Sequence, residues 1–329
     1  MKNKENLYAS IPYVDKKVSR IFAGTAFSPI QDGADGTDFF EAALANGINA
    51  FDTARVYMEA EHSFGNWLEK SGRREEVVIL SKCGHPDAMW NKRVNEKEMR
   101  KDLKKSLEEL KTDYIDIYML HRDDPDTDVA VAVETFNAMH EEGNIGAFGA
   151  SNWTHTRIEE ANEYAYKHNL IPFSVSSPNF CLARQVEDPW GGGCVNISGS
   201  ENQEARAWYE KNQMPVIAYA SLGRGFFSGR MKSEYADHAS DYLDSFAMTG
   251  YACSDNFERL RRCEIIAEKH GVTVAQIAMN WIFSHPLNVF AIASMSKADR
   301  MKANREALLL QLSDEEIAYL DLETPEFCG

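Results

Sequence analysis

INAFDTARVY (48–57), VVILSKCG (77–84) and YIDIYMLHR (114–122) are three apolar, β-rich runs that finish on polar groups. The first ends at Asp52, with Tyr57 five residues on; the second closes on Lys82 and the third on His121. Groups this costly to desolvate do not end buried strands without a partner or a task. A carboxylate, a phenol, an ammonium and an imidazole gathered at one end of a parallel sheet make a proton-transfer device.

The same strand pattern recurs along the chain. RIFAGTAF, INAFDTA, VVILSKC, YIDIYMLH, GAFGASN, PFSVSSPNF, PVIAYASL and VFAIASM read as eight strands. Segments of helical period lie between them. TDFFEAALANGI ends near Gly47, a C-terminal signal, and NEKEMRKDLKKSLEELK carries the stripe Met99, Leu103, Leu107, Leu110 behind an Asn95 N-cap. No Pro/Gly-rich or charged linker divides the 329 residues. The expected class is therefore α/β, a (β/α)8 TIM barrel in one domain over 1–329. LYASIP and KKVSRI predict an N-terminal hairpin, and LSDEEIAYLD an extra C-terminal helix capped by Ser313. Residues 223–255 form the longest irregular segment, expected to lie over substrate and cofactor as a lid. The glycines at 191–193 mark a second flexible excursion.

Composition excludes some partners. Fifty-one acidic against 35 basic side chains leave a net charge of −16, which argues against a nucleic acid or an anionic membrane surface. The start, MKNKENLYASIPYVDKK, lacks a signal-peptide core, and no run of about 18 apolar residues occurs, so a cytoplasmic location is expected. Six scattered cysteines, without C-x-x-C or zinc spacing, are expected to be reduced, with no metal bound.

FDTARVY, ILSK, DIYMLHRDD, GASNW and VIAYASLGRGFFSGR, in this order and at these strand ends, resemble the aldo-keto reductase superfamily from Val18 to about Asn304. The resemblance implies an NAD(P)H-dependent carbonyl reductase with Asp52, Tyr57, Lys82 and His121 as its catalytic tetrad. The chemistry agrees: reduction builds negative charge on the carbonyl oxygen, which calls for a proton donor and a cationic field. Tyr57 supplies the proton, Lys82 favours its release, Asp52 keeps Lys82 charged, and His121 orients the carbonyl. Taken singly, Asp52 reads as a turn former, Tyr57 as a surface aromatic, Lys82 as a surface lysine and His121 as a structural histidine. Their joint occurrence selects the catalytic reading.

There is no G-x-G-x-x-G after the first strand and no P-loop, so the cofactor must be held otherwise. Gly223, Gly225 and Gly229 in SLGRGFFSGR could present backbone amides to a pyrophosphate, with Ser221, Leu222 and Arg224 in the same loop. The resemblance implies that Tyr219 stacks on the nicotinamide and that Ser151 and Asn152 bond its carboxamide. Ser177 stands where the family commonly has Gln, its shorter hydroxyl reaching the carboxamide only through water. IASMSKADRMKAN aligns with the family's adenosine segment and implies Ser294, Ser296, Lys297, Arg300 and Asn304 around the ribose, 2'-phosphate and adenine. Two cations at a helix N-terminus favour NADPH over NADH. Phe27, Trp90, Trp153, Phe226 and Phe227 are candidate pocket walls or loop-packing aromatics. Asp123 and Asp124 give an acidic rim, pointing to a neutral or sugar-like small-molecule carbonyl. A cofactor-sensing regulatory or binding subunit with little turnover, or an aldolase using Lys82 as a Schiff base, are the competing functions. Oligomeric state does not follow from the sequence.

Overall fold

Residues 7–325 are described by a computed structural model. A short antiparallel pair, β1 (Tyr8–Ala9) and β2 (Val18–Ser19), precedes the barrel. Eight parallel strands then close on themselves: β3 (Ile21–Gly24), β4 (Ala50–Asp52), β5 (Val78–Cys83), β6 (Ile115–Leu120), β7 (Ile145–Ser151), β8 (Val175–Ser177), β9 (Val216–Ala218) and β10 (Val289–Ala293), with β10 pairing back to β3. The eight expected strands are all present, most of them shorter than expected, with β7 beginning one residue earlier at Ile145. Around them run α1 (Thr37–Ala45), α2 (Ala60–Ser71), α3 (Glu96–Leu110), α4 (Val129–Glu141), α5 (His155–Lys167) and α6 (Gln203–Asn212). The second half adds α7 (Ser245–Tyr251), α8 (Ser254–His270), α9 (Val274–Ser284), α10 (Ala298–Ala307) and α11 (Asp314–Leu320).

Two cores follow from the period-2 strand. Phe22, Ala50, Val78, Leu80, Ile117, Met119, Ala147, Val175, Ile217 and Phe290 fill the barrel interior. Ile11, Val14 and Val18 from the N-terminal hairpin pack on this set and plug the barrel's N-terminal end. The alternate residues, among them Phe51, Ile79, Tyr118 and Phe148, face the helices and form the larger outer core. Capping agrees with the sequence signals: the Asn95 side chain accepts from the Glu98 amide (3.0 Å), and Ser313 and Glu316 form a reciprocal capping box on α11.

Two features go beyond the sequence pattern. Helix α2 has no side-chain N-cap and carries Gly65 in its interior, so propensity and capping both argue against it. The glycine is there because α2 crosses α3 closely: a Cβ on Gly65 would lie 2.0 Å from the Glu109 carbonyl oxygen. The 223–255 connection is not irregular either. It contains a 3-10 segment over Ser233–Asp241, then α7, and α8 begins at its end. Tyr235 and Tyr242 stack at 4.6 Å within it, and the Asp244 side chain caps α7 while accepting the Arg224 guanidinium (3.0 Å). Among the described residues the five cysteines are free, and Cys328 lies outside them.

Candidate active site

The inward face of each strand continues directly into the site. Ala50 leads two residues on to Asp52, Leu80 to Lys82, Met119 to His121, Gly149 to Ser151, Val175 to Ser177 and Ile217 to Tyr219. Strand alternation therefore aims all six at the C-terminal mouth of the barrel. Tyr57 reaches the same place by a turn. Its amide bonds the Ala54 carbonyl (2.9 Å), and Met58 takes the left-handed conformation (φ 49°) behind it.

Lys82 is the centre of the cluster. Its Nζ donates to Asp52 Oδ1 and to the Thr53 carbonyl (2.9 Å), and lies 5.0 Å from the centroid of the Tyr57 ring. Asp52 and Lys82 are each only 3% exposed, so neither charge is bearable without the other. Burial works against the ammonium, but Asp52 and then Tyr57 outweigh it and hold the Lys82 pKa above the ordinary lysine value. Burial likewise pushes the Asp52 carboxyl up against the pull of Lys82. The Tyr57 ring keeps some accessible surface, yet its phenol sits among packed atoms. Desolvation therefore raises its pKa, with the Lys82 charge and hydrogen bond pulling the other way.

His121 sits edge-on to Tyr57, with ring centroids 5.6 Å apart. Its backbone is fixed on both sides: the amide bonds the Cys83 carbonyl (2.8 Å), and the carbonyl accepts from Asn152 Nδ2 (3.0 Å). Its Nδ1 is buried without a partner. Burial, and after it the charge of Lys82, hold the imidazole well below its ordinary pKa, so it is neutral at pH 7. A neutral ring beside a phenol and an ammonium can donate a hydrogen bond to a carbonyl oxygen without competing as a base.

The expected nicotinamide residues gather beside the tetrad, already bonded to each other. Asn152 Oδ1 accepts from Tyr219 Oη (2.8 Å) and from the Val195 amide (3.2 Å), while Nδ2 also reaches Ser151 Oγ (3.2 Å). Ser151 Oγ donates to the Ser177 carbonyl (2.8 Å), and Ser177 Oγ to the Ile217 carbonyl (2.7 Å). The Ser177 hydroxyl is thus engaged with barrel backbone, which is where a side chain one methylene long can reach. In the SLGRG loop the glycines serve conformation. Gly223, Arg224 and Gly225 all have positive φ (56°, 52° and 92°), and the Gly223 and Gly225 amides close turns on Ala220 and Leu222. That corrects the expectation that these two glycine amides face a phosphate. No bond engages the Ser221, Leu222 or Arg224 amides among the described residues. Helix α10 starts at Lys297 with no side-chain cap, and Lys297 and Arg300 are exposed and pair with no carboxylate among the described residues. Ser294 and Ser296 are exposed beside them; Asn304 is buried one turn further on. Free amides and two unpaired cations suit a phosphate ester.

Of the aromatic pocket candidates, Phe27 is half-buried against Phe39, and Trp90 lies exposed over Gly191. Trp153 and Phe226 are corrected to packing residues. Trp153 is 1% exposed against Phe173 and under Arg157, and Phe226 is fully enclosed by Phe227 and Phe257. Sequence reasoning passed over four groups at the mouth. His85 lies 5.0 Å from His121, Trp190 5.6 Å from Tyr219, and Arg122 touches Cys194 of the glycine loop. Only the His-Arg pair directly after a strand offered a signal. A hollow of about 660 Å³ lined by Tyr8, Lys16, Lys17, Asn49, Glu75 and Glu76 lies at the opposite end and holds no group of the tetrad.

The model of the aldo/keto reductase family matches residues 23–322. This chain belongs to the aldo/keto reductase family. Protein tas of Escherichia coli (strain K12) is 27% identical over 95% of this chain and 96% of its own length. Aldo-keto reductase YhdN of Bacillus subtilis (strain 168) is 25% identical over 94% and 91%. The crystal structure of the thermostable aldo-keto reductase Tm1743 with the inhibitor epalrestat superposes with a TM-score of 0.70 over 96% of this chain and 99% of that one, at 21% identity, and shares its fold. The protein is accordingly an NAD(P)H-dependent oxidoreductase of small carbonyl compounds. No helix among the described residues is long and apolar enough to cross a membrane.

Proposed function

We propose that this chain, as a single barrel domain over 1–329, reduces an aldehyde or ketone to the alcohol with NADPH, Tyr57 acting as the general acid. One observation carries the reading: Lys82, locked by Asp52 and the Thr53 carbonyl, has its ammonium 5.0 Å from the centre of the Tyr57 ring, beside a neutral His121. The reduced nicotinamide supplies hydride to the carbonyl carbon when bound, alongside Tyr219, Ser151 and Asn152. The residues of the chain do the rest. His121 hydrogen-bonds the carbonyl oxygen and sets its position. Tyr57 gives its phenolic proton to that oxygen as negative charge builds there, and the Lys82 ammonium stabilises the phenolate left behind. Asp52 keeps Lys82 charged through the cycle.

Lys297 and Arg300 at the uncapped start of α10 support NADPH over NADH, since a 2'-phosphate would meet both charges and free amides. The ordered 223–255 segment, tied by Arg224 to Asp244, is proposed as the cover over cofactor and substrate. The net charge of −16 supports work on a small molecule rather than on a nucleic acid.

The test is a panel of aldehydes, ketones and sugars followed by NADPH absorbance, with Tyr57→Phe as control. Loss of about 10²- to 10⁴-fold in kcat with NADPH affinity retained is expected. NADPH binding without oxidation across the panel would replace the reductase reading by a cofactor-sensing one. Arg300→Ala should raise KM for NADPH far more than for NADH; equal effects on both would end the 2'-phosphate assignment.

A further inference from the structure

Arg122 follows His121 at the mouth of the barrel and is only 9% exposed, yet no carboxylate lies within ion-pairing distance of it among the described residues. A buried guanidinium cannot shed its charge, so it needs an acceptor. What it has is meagre: Nη1 donates to Cys194 Sγ, a weak acceptor. Nε is buried without any partner, and no bond is made from Nη2. The Nε–Nη2 edge, which is the edge that holds a carboxylate by two parallel hydrogen bonds, is therefore unfilled.

The acidic neighbours bond other groups, although Asp123 keeps one oxygen, Oδ1, buried without a partner. Asp123 faces Arg157 (3.5 Å), Asp124 pairs with Lys92 (2.7 Å) and accepts from Thr127 (2.9 Å), and Asp126 also reaches Lys92 (3.2 Å). Asp188 accepts the Trp190 and Cys194 amides, both at 2.8 Å. The acids nearest Arg122 thus bond other partners, and none of them reaches its guanidinium. Arg122 follows His121 in the chain and reaches Cys194, which sets its guanidinium at the mouth of the barrel.

We infer that Arg122 recognises a carboxylate on the substrate, so that the compound reduced is an aldehyde or ketone bearing an acid group rather than a neutral or sugar-like carbonyl. The inference rests on the reductase reading for the position of the carbonyl. It does not rest on it for the anion site. One guanidinium edge matches the two oxygens of a carboxylate, whereas a phosphate dianion would leave charge and acceptors unanswered.

The full-length chain is tested with a matched pair, 4-carboxybenzaldehyde and methyl 4-formylbenzoate, which differ in charge and not in the reacting group. The expected result is a kcat/KM at least tenfold higher for the acid, carried by KM. In Arg122→Met that ratio should collapse to about one, and Arg122→Lys, with a point charge and no fork, should retain only part of it. The variants' melting temperature and NADPH affinity report whether they fold. Binding of 4-(hydroxymethyl)benzoate and of benzyl alcohol is measured by titration as a readout independent of turnover. Turnover of both aldehydes with no preference for the acid, or a preference that survives Arg122→Met in a folded protein, overturns the inference and leaves the reductase reading standing. Absence of turnover with tenfold tighter binding of the acid, lost in Arg122→Met, overturns the reductase reading and leaves the anion site. Absence of both defeats the two together.

Discussion

Two buried carboxylates sit at opposite ends of this barrel, and they are treated differently. Asp116, on β6 near the N-terminal end, accepts from Lys16 Nζ, Arg74 Nη2 and the Ile79 amide, each at 2.9 Å. Two cations and a backbone donor satisfy both of its oxygens. Asp52, at the C-terminal mouth, holds one cation through one oxygen, and that cation is turned toward Tyr57. Around it His121 Nδ1 and Arg122 Nε are buried and unpartnered, whereas both oxygens of Asp116 are bonded. A cluster of incompletely bonded polar groups at one end of a barrel is where a ligand can complete them, whereas a lone buried orphan such as His285 Nε2 marks no site.

The largest expected break in that comparison is Lys82→Met, which should lower kcat/KM by about 10²- to 10⁴-fold. Asp52, already pushed up by burial, would take a proton rather than remain a bare charge, so the melting temperature should fall less than the activity does. Asp116→Asn reverses the pattern: a loss of about 3 kcal/mol in urea unfolding, from two cations left half-answered, with kcat/KM within about twofold of the parent. A large activity loss there would mean that the N-terminal end shapes the mouth.

The smallest effect compares two histidines. His285 also has a buried unpartnered nitrogen, Nε2, packed against Trp281 and Phe180. Burial, followed by the Arg206 charge, lowers its pKa from 6.5 to about 4. The unfolded chain therefore takes up a proton below about pH 6.5 that the folded chain refuses, and stability is lost as pH falls from there towards 4. Between pH 7 and pH 5 this amounts to about 2 kcal/mol, which His285→Gln should remove from the pH dependence of unfolding. Asp321, pushed up to about 6 chiefly by burial, titrates with the opposite sign, so the unmodified protein shows a smaller net slope than the difference between the two forms. His121 should behave otherwise: being neutral already, it predicts a kcat/KM for reduction that stays flat between pH 6 and 8.

Strand count, order of elements and the convergence of Asp52, Lys82 and His121 were legible because each depends on local pattern: apolar alternation, and a polar residue continuing the inward face of a strand. The place of Gly65 inside the helix over Ala60–Ser71 was not, since only its close crossing with α3 explains it. The aromatics Trp153 and Phe226 misled for the same reason in reverse. Their neighbours in sequence belong to the site, but their side chains turn into the core. Arg122 was hidden because alternation directs it away from the barrel interior, and its significance depends on which acids found other partners.

By itself the sequence determined a closed ring of eight βα units and the polar side chains that follow its strands, since periodicity and spacing act over a few residues, and its motifs carried the resemblance to the family. Only the tertiary structure decided which charges are answered. Ion pairing is settled by distances between residues far apart in the chain, so Lys92 and Arg157 take up acids of the 123–126 stretch while Arg122 beside them is left without a carboxylate.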